Sequence, residues 1–269
     1  MTQEASDAAR AIRFEHCSVE YPGGVRALRD LTLDVSPGEF VVVVGLSGAG
    51  KSTMLRTVNG LVRPTGGDVT VGGRSIRRAG KGELREIRAR IGMVFQDFRL
   101  VKRARVLTNV LMGRVAYVPT WRAVSGWWPK PDVELAFRAL ERVGIVDKAY
   151  VRASNLSGGQ QQRVGVARAL AQEPSIILAD EPVASLDPVT AHQVMRDLLR
   201  INRELGITTL VNLHFLDLAK AYGERIVGLR AGELVYDGSA AAVGDDDFRA
   251  IYGRSPSSED LLESQPALS

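Results

Sequence analysis

The strongest constraint on the fold is a glycine-rich segment that directly follows the apolar run 40–44. This run is continuous and rich in β-branched residues, so it predicts a strand that is buried on both faces. Residues 51–60 then favour a helix that stops at Asn59-Gly60. The segment between strand and helix fits G-x-x-x-x-G-K-[ST] and consists of Gly45, Leu46, Ser47, Gly48, Ala49, Gly50, Lys51, Ser52 and Thr53.

Such a segment is suited to hold the phosphates of a nucleotide. Its glycines let the backbone fold tightly with the N–H groups facing inward, and the helix adds its positive N-terminal end. Lys51 can then reach the β- and γ-phosphates, and the Ser52 hydroxyl can ligate Mg²⁺. A glycine-rich turn without a ligand is the alternative, and the strand before and helix after it disfavour that interpretation.

Around this segment strand and helix patterns alternate, which predicts an α/β fold whose P-loop core has a mostly parallel sheet. Apolar and polar residues alternate from Ile12 to Val35 around the turn 22–24, and this predicts an N-terminal antiparallel β-subdomain. Residues from about 97 to 172 have mainly helical spacing and predict an inserted helical subdomain. Further strand signals lie at 68–71, 91–95, 176–180, 208–213, 226–229 and 233–236.

Length and composition predict one domain over residues 11–253 of the 269. We expect residues 1–10 to be disordered and 254–269 to form a flexible tail. Cys17 is the single cysteine, so no intrachain disulfide is possible. Neither the N-terminus nor any apolar run resembles a signal peptide or the roughly 20-residue span that a membrane helix needs.

Two adjacent acids, Asp180 and Glu181, end the apolar run that begins at Ile176. Because open α/β sheets bind ligands beyond the carboxyl ends of their strands, we expect both acids at the nucleotide site. Asp180 would hold Mg²⁺ through water, since Mg²⁺ keeps much of its hydration. Glu181 is placed to polarise an attacking water as general base. An acidic pair that only caps the next turn is the alternative.

The segment Leu156-Ser157-Gly158-Gly159-Gln160 precedes a helix that we expect over 161–172. A hydroxyl and glycine amides at a helix N-terminus form a second anion site. Two phosphate sites with one phosphate-loop lysine make sense if Ser157 reaches a nucleotide held by another copy of the chain. Taken alone, the segment would be only a helix cap.

The sequence LSGGQQQR at 156–163, placed before the acidic pair, resembles the signature motif of the ABC ATPases. Tyr21 resembles the aromatic residue that stacks on adenine in that family. Gln96 resembles the Q-loop glutamine, which senses Mg²⁺ and the attacking water and faces the permease. His214 resembles the switch histidine that contacts the γ-phosphate. The D-loop that crosses the family's dimer interface is matched by Ser185, Leu186 and Asp187.

Each of these residues has an ordinary interpretation in isolation. Tyr21 could be a strand aromatic, Gln96 any polar loop residue, and His214 a core histidine. The functional interpretation is favoured because seven motifs occur in the family's order, across about residues 12–253.

The resemblance implies a hydrolase that uses ATP and Mg²⁺ and works as a head-to-tail dimer. Catalysis would depend on Glu181, His214, Gln96 and Lys51, and the metal would be held by Ser52, Gln96 and Asp180. Each ATP would also contact four residues of the other copy, namely Ser157, Gly158, Gly159 and Gln160. The chain would lie at the cytoplasmic face of the cell membrane, bound to separate integral-membrane permease subunits and served indirectly by an extracytoplasmic solute-binding protein.

Within this family the chain is similar to the phosphonate importer ATPases. The similarity lies in the segment from Met112 to Pro131, which holds all three tryptophans, and in the short motifs 96–101, 183–188, 212–219 and 251–253. It implies import of phosphonate, phosphate or a related oxyanion. The tryptophans either fill the core of the helical subdomain or contact the permease. Phe215 departs from many importers, which place an acidic residue after the switch histidine.

Two other classes of ABC protein stay open as alternatives. One is the ATPase of a lipoprotein or lipid exporter, against which only the tryptophan segment argues. The other is a non-transport ABC ATPase acting on nucleic acid, which would need long coiled coils or tandem cassettes that the sequence lacks. A net charge of +4 and one small basic cluster, Lys102, Arg103 and Arg105, give little support to nucleic-acid binding, so no such partner is expected.

Overall fold

The structure is a computed structural model in which residues 10–255 and 260–262 are described. The expected disordered N-terminus therefore lies outside the described residues, except for Arg10. Most of the expected flexible tail lies outside them as well. Among the described residues, no helix is long and apolar enough to cross a membrane.

Ten strands form two sheets in the described part of the chain. They are β1 Ile12–Tyr21, β2 Val25–Val35, β3 Phe40–Val44, β4 Gly66–Val71, β5 Arg74–Ser75, β6 Ile91–Phe95, β7 Ile176–Asp180, β8 Thr208–Asn212, β9 Arg225–Arg230 and β10 Glu233–Ser239. The smaller sheet is antiparallel with the order β2-β1-β4-β5, and the larger has the order β10-β9-β3-β8-β7-β6. In the larger sheet only β10 pairs antiparallel. The predicted α/β fold with its N-terminal antiparallel subdomain is confirmed.

Nine α-helices are described. They are α1 Lys51–Val58, α2 Lys81–Ala89, α3 Val106–Leu111, α4 Thr120–Ser125, α5 Lys130–Arg142, α6 Gly158–Leu170, α7 Pro188–Leu205, α8 Leu216–Tyr222 and α9 Asp245–Tyr252. Helix α6 begins three residues before the expected 161 because Ser157 caps it and Gln160 completes a capping box. Helices α3 to α6 form the helical layer that the sequence predicted between β6 and β7.

Strand β3 separates two hydrophobic cores, as its apolar sequence predicted. Phe40, Val42 and Val44 face one core, and Val41 and Val43 face the other, with every residue fully buried. Burial on both faces explains why the run does not alternate with polar residues. The strand therefore gives the loop that follows it a rigid base.

The helical layer packs against the first of these cores. In α5, Ala136 and Leu140 are buried, and Phe137 packs partly buried beside them. Trp128 also packs against this core, whereas the side chains of Trp121 and Trp127 are 55% and 67% exposed. One tryptophan thus packs in the core, and the two exposed tryptophans are available for contact with another molecule.

Two residues in the described part of the expected flexible tail are buried, whereas Arg254, Ser255 and Leu261 are exposed. Asp260 is 6% exposed and Leu262 is 2% exposed. Leu262 joins the core that contains Phe248 and Ile251 of α9. The composition of the tail did not indicate these two buried positions, and the flexible tail as a whole stays a prediction.

Candidate active site

The parallel strands bring the predicted site residues to one edge of the larger sheet. The register pairs Phe95 with Asp180 and Asp180 with Asn212 across β6, β7 and β8. Val43 of β3 pairs with Asn212 in turn. The residues that follow these strands therefore leave the sheet side by side, and they include the phosphate loop, Gln96, Glu181 and His214.

The loop after β3 needs glycine at two of its positions. Gly45 has φ 150° and Gly50 has φ 105°. A side chain on Gly45 would collide with the carbonyl oxygen of Leu229, and one on Gly50 would collide with that of Ala27. Both backbone conformations and both close approaches exclude other residues. The loop thus winds tightly before α1, as the sequence pattern predicts for a phosphate cradle.

Lys51 lies inside this loop and is only 4% exposed. Its ammonium group donates to the carbonyl oxygens of Gly45, at 2.6 Å, and Leu46, at 3.2 Å. Burial lowers the pKa of Lys51, and the charges of Glu181 and Asp180 oppose that effect only in part. A buried ammonium with neutral partners is a strong potential binding group for an anion that enters the loop.

Ser52 and Asp180 form the candidate metal site. The Ser52 hydroxyl donates to Asp180 Oδ1 at 2.8 Å, and the side-chain amide of Asn212 donates to the same oxygen at 2.9 Å. Arg56 lies 3.9 Å from the other carboxylate oxygen. A hydroxyl beside one carboxylate, next to a phosphate cradle, fits Mg²⁺, which takes few protein ligands and completes its shell with phosphates and water.

Glu181 directly follows this metal site and pairs with His214. His214 Nε2 lies 2.5 Å from Glu181 Oε1, and the two side chains are 35% and 16% exposed. Burial raises the pKa of Glu181, but the hydrogen bond and charge of His214, together with Lys51, outweigh it and leave the pKa below its usual value. Glu181 is therefore ionised at neutral pH and can accept a proton.

The backbone at Glu181 is also unusual, since its φ of 53° is left-handed. Such a conformation costs a non-glycine residue roughly 1–3 kcal/mol and is often retained at functional sites. Here it turns the side chain from the end of β7 towards His214.

A depression of about 300 Å³ opens over the loop. It is lined by the phosphate loop, by Glu181, and by Val25 and Ala27 of β2. Tyr21 stands at the same place, since its hydroxyl lies 3.2 Å from the hydroxyl of Thr53. The predicted adenine-stacking residue is thus brought to the loop beside Val25, its partner in the sheet, which lines the depression.

The Ser157–Gln160 segment and the D-loop do not line this depression in the described chain. Ser157 is exposed and caps α6, accepting from the Gln160 amide at 3.4 Å. Asp187 caps α7 and accepts from the Thr190 amide at 3.0 Å, and hydrogen bonds from Thr190 lower the pKa of Asp187. Both segments are thus formed, with Ser157, Ser185 and Asp187 exposed and Leu186 buried.

Four residues at the site were not predicted as site residues. Val25 and Ala27 line the depression, and Asn212 and Arg56 contact Asp180. Asn212 had a usable signal, because a polar residue ends the apolar strand β8 at the edge where Asp180 ends β7. Arg56 lies one helical turn after Ser52 in α1, so helical spacing could have indicated it. Val25 and Ala27 gave no usable sequence signal, because apolar residues are common in a hairpin at the edge of a sheet.

Comparison with known proteins agrees with this geometry. The sequence pattern of the family described as "ABC transporter" matches residues 28–184. The chain is 59% identical over 251 residues to the "Phosphonates import ATP-binding protein PhnC" of Staphylococcus epidermidis, covering 93% of this chain and 98% of that protein. It is equally identical to the protein of the same name from Shouchella clausii, covering 93% and 94%. The resemblance seen in the sequence is thereby confirmed.

Solved structures give the same result for the fold. One is the dimeric post-hydrolysis structure of the ATP-binding cassette MJ0796 bound to ADP and phosphate, with a TM-score of 0.74 and 34% identity over 85% of this chain and 98% of that chain. Another is cbiO1 from Clostridium perfringens, part of the ABC transporter complex cbiONQ, with a TM-score of 0.77 and 28% identity over 86% and 89%.

Proposed function

The chain belongs to the ABC transporter family of ATP-binding proteins, and on that premise we propose that it is the ATP-hydrolysing subunit of an importer for phosphonate, phosphate or a related oxyanion. The observation that carries the proposal is the site at one sheet edge, where a phosphate loop, the Ser52–Asp180 pair and the Glu181–His214 pair meet. The oxyanion class follows from the two PhnC relatives, which are named as phosphonate import proteins.

In the reaction, a water oxygen bonds to the γ-phosphorus of ATP while the bond from that phosphorus to the β–γ bridging oxygen breaks. Glu181 takes the proton that the water loses, since its lowered pKa keeps it ionised. Lys51 and the loop amides neutralise the charge that builds up on the phosphates. His214 would turn from Glu181 to a γ-phosphate oxygen, and Tyr21 would stack on the adenine.

Ser52, Gln96 and Asp180 would hold Mg²⁺, which when bound neutralises phosphate charge and fixes the phosphates in place. Gln96 follows β6 beside Asp180, so it leaves the sheet next to the Ser52–Asp180 pair. Asn212 would keep the Asp180 carboxylate oriented through its 2.9 Å hydrogen bond.

The second half of the site would come from another copy of the chain. Ser157, Gly158, Gly159 and Gln160 lie at a helix N-terminus where Ser157 is exposed, and none of the four lines the depression over the loop of their own chain. Ser185, Leu186 and Asp187 would cross the interface between the copies. A head-to-tail dimer places each α6 N-terminus on the partner's nucleotide, and its positive end favours the γ-phosphate.

The dimer would sit at the cytoplasmic face of the membrane, attached to separate permease subunits, and a solute-binding protein outside the membrane would select the oxyanion. Residues 11–253 would act as one nucleotide-binding domain with the helical subdomain at about 97–172. The Gln96 loop and this subdomain would form the surface that meets the permease.

The test is to purify the chain from its own membranes together with the permease subunits that bind it and to measure the ATPase activity of that assembly in lipid vesicles. We expect ATP turnover to rise when a receptor loaded with a phosphonate is added. The same assembly carrying Glu181→Gln should show no such rise in turnover. If the chain assembles instead with a lipoprotein exporter, or turnover ignores every loaded receptor, the import proposal is wrong while the assignment of the ATPase site stands.

A further inference from the structure

Helix α9 lies against the strand that borders the phosphate loop. A side chain on Gly228 would collide with Ile251 of α9, so the absence of a side chain there lets the helix approach β9 closely. Gly228 pairs with Val44, the last residue of β3 before the loop. The C-terminal end of α9 is thereby set beside Gly45, where the phosphate loop begins.

Tyr252, the last residue of α9, reaches from this position to the switch. It is 4% exposed, and its hydroxyl lies 3.5 Å from the backbone carbonyl oxygen of His214. The backbone of Gly45 lies near enough to the Tyr252 hydroxyl to lower its pKa, against the effect of burial. Burial, helped by the charge of Asp260, raises the pKa of Tyr252, so its hydroxyl keeps a proton to donate to the His214 carbonyl. One buried hydroxyl thus connects the start of the phosphate loop with the main chain of the switch.

The residues after α9 hold the other side of the switch. Arg254 donates to both carboxylate oxygens of Asp260, at 2.6 and 2.9 Å, and Asp260 is buried. The amide of the buried Leu262 donates to Asp217 Oδ2 at 2.9 Å. Asp217 lies in the first turn of α8, three residues after His214. His214 and the helix that follows it are therefore contacted from both α9 and the C-terminal segment.

We propose that Tyr252 is a positioning residue for ATP hydrolysis, which fixes the main chain of His214 relative to the phosphate loop, with Asp260 and Leu262 securing α9 and α8 around it. The proposal rests on the role of His214 proposed above. If the main chain of His214 is fixed, its imidazole can leave Glu181 and reach the γ-phosphate by side-chain rotation alone. The loop that carries His214 need not move. The hydrogen bond from Tyr252 would therefore affect ATP hydrolysis, where a γ-phosphate is present, and not the binding of ADP.

Tyr252→Phe tests this inference because it removes the hydroxyl and keeps the ring in the core. Loss of one hydrogen bond predicts a fall in kcat of about 5-fold. KM for ATP and affinity for ADP should stay near those of the unaltered chain, and the melting temperature should fall by no more than the few degrees that loss of one buried hydrogen bond predicts. Tyr236→Phe is the matched control, since it removes a hydroxyl that donates to the Ser239 carbonyl at 3.1 Å outside the site, and it should leave kcat unchanged.

A second comparison separates this inference from the role of His214. In a His214→Ala chain, Tyr252→Phe should cause no further loss, since a residue that acts through His214 has nothing left to position. If His214→Ala hydrolyses ATP normally, the proposed role of the switch is wrong. If His214→Ala is inactive but Tyr252→Phe has normal kcat, or lowers kcat and ADP affinity together, the positioning role alone is overturned.

Discussion

At the scale of single residues, the proposed hydrolysis depends on Glu181, the group that takes a proton from water. Its carboxylate sits between Lys51 and His214, in a buried setting that alone would favour the protonated form. The two basic neighbours reverse that preference. We therefore predict separate effects for a change of the Glu181 carboxylate and for a change of His214.

Glu181→Gln should keep nucleotide binding and lose hydrolysis, because the amide fills the same space but cannot accept the proton. General-base loss predicts a fall in turnover of about 10²–10⁴-fold. Turnover and ATP affinity are measured on the same preparation. Glu233→Gln, the same change at an exposed position, should leave both values unaltered. Hydrolysis by Glu181→Gln at the normal rate would remove Glu181 from the reaction.

His214→Ala should shift the pH dependence of whatever turnover remains. In the unaltered chain the pKa of Glu181 is lowered, so the base is present above that value and is lost as pH falls through it. Without the imidazole only Lys51 opposes the effect of burial, so the pKa of Glu181 rises and the acid limb of single-turnover hydrolysis should move to higher pH. An acid limb that does not move would show that His214 does not set the ionisation of Glu181.

Cys17 offers a residue-scale test of the β-subdomain. The thiol is fully buried, and burial together with Asp68 raises the pKa of Cys17 to about 12. Since alkylation needs the thiolate, the native chain should resist iodoacetamide at pH 8 and react once unfolded in urea. The raised pKa also means that the thiol's contribution to stability is present below about pH 9 and is lost as pH rises towards 12. Rapid labelling of the native chain would contradict this packing.

At the scale of elements, helix α6 presents the signature residues and packs tightly against α7. A side chain on Gly159 would collide with the Cγ2 methyl group of Thr190. Gly159→Ala should therefore lower the free energy of unfolding by about 1–3 kcal/mol, as overpacking does. Urea unfolding without nucleotide measures this.

Thr190→Ser provides the compensating change. It removes the methyl group that the new side chain would meet and keeps the hydroxyl and amide beside Asp187. The double variant should regain most of the stability lost by Gly159→Ala. If the double variant stays as unstable as the single one, the contact with Thr190 is not the reason for glycine at 159.

Elements with strong local patterns could be predicted from sequence, and those that depend on distant partners could not. The run 40–44 predicted a buried strand because apolar residues on both faces leave no other position for it. The pairing of Asn212 with Asp180 depends on strand register, which no local pattern contains. The buried position of Leu262 depends on core residues of α8 and α9 that are distant in sequence, so the composition of the tail indicated only a loose segment.

At the scale of the whole molecule, each chain holds one phosphate loop and one α6 N-terminus that does not line the depression over that loop. Two copies that each supply one half of the other's site would explain this arrangement. The nucleotide would then bridge the copies, and hydrolysis would remove the bridge. A rigid-body motion of this kind could be passed to a permease bound at the Gln96 loop and the helical layer.

The most direct test of the composite site mixes two inactive chains. Lys51→Ala disables the phosphate loop. Ser157→Asp places a negative charge against the γ-phosphate but keeps a good helix cap, so α6 should stay folded. A mixed dimer has one site with an intact loop from the Ser157→Asp copy and an intact signature segment from the Lys51→Ala copy. We predict that each chain alone fails to hydrolyse ATP and that the mixture recovers part of normal turnover. No recovery from a mixture that demonstrably forms mixed dimers would contradict a site shared between two chains.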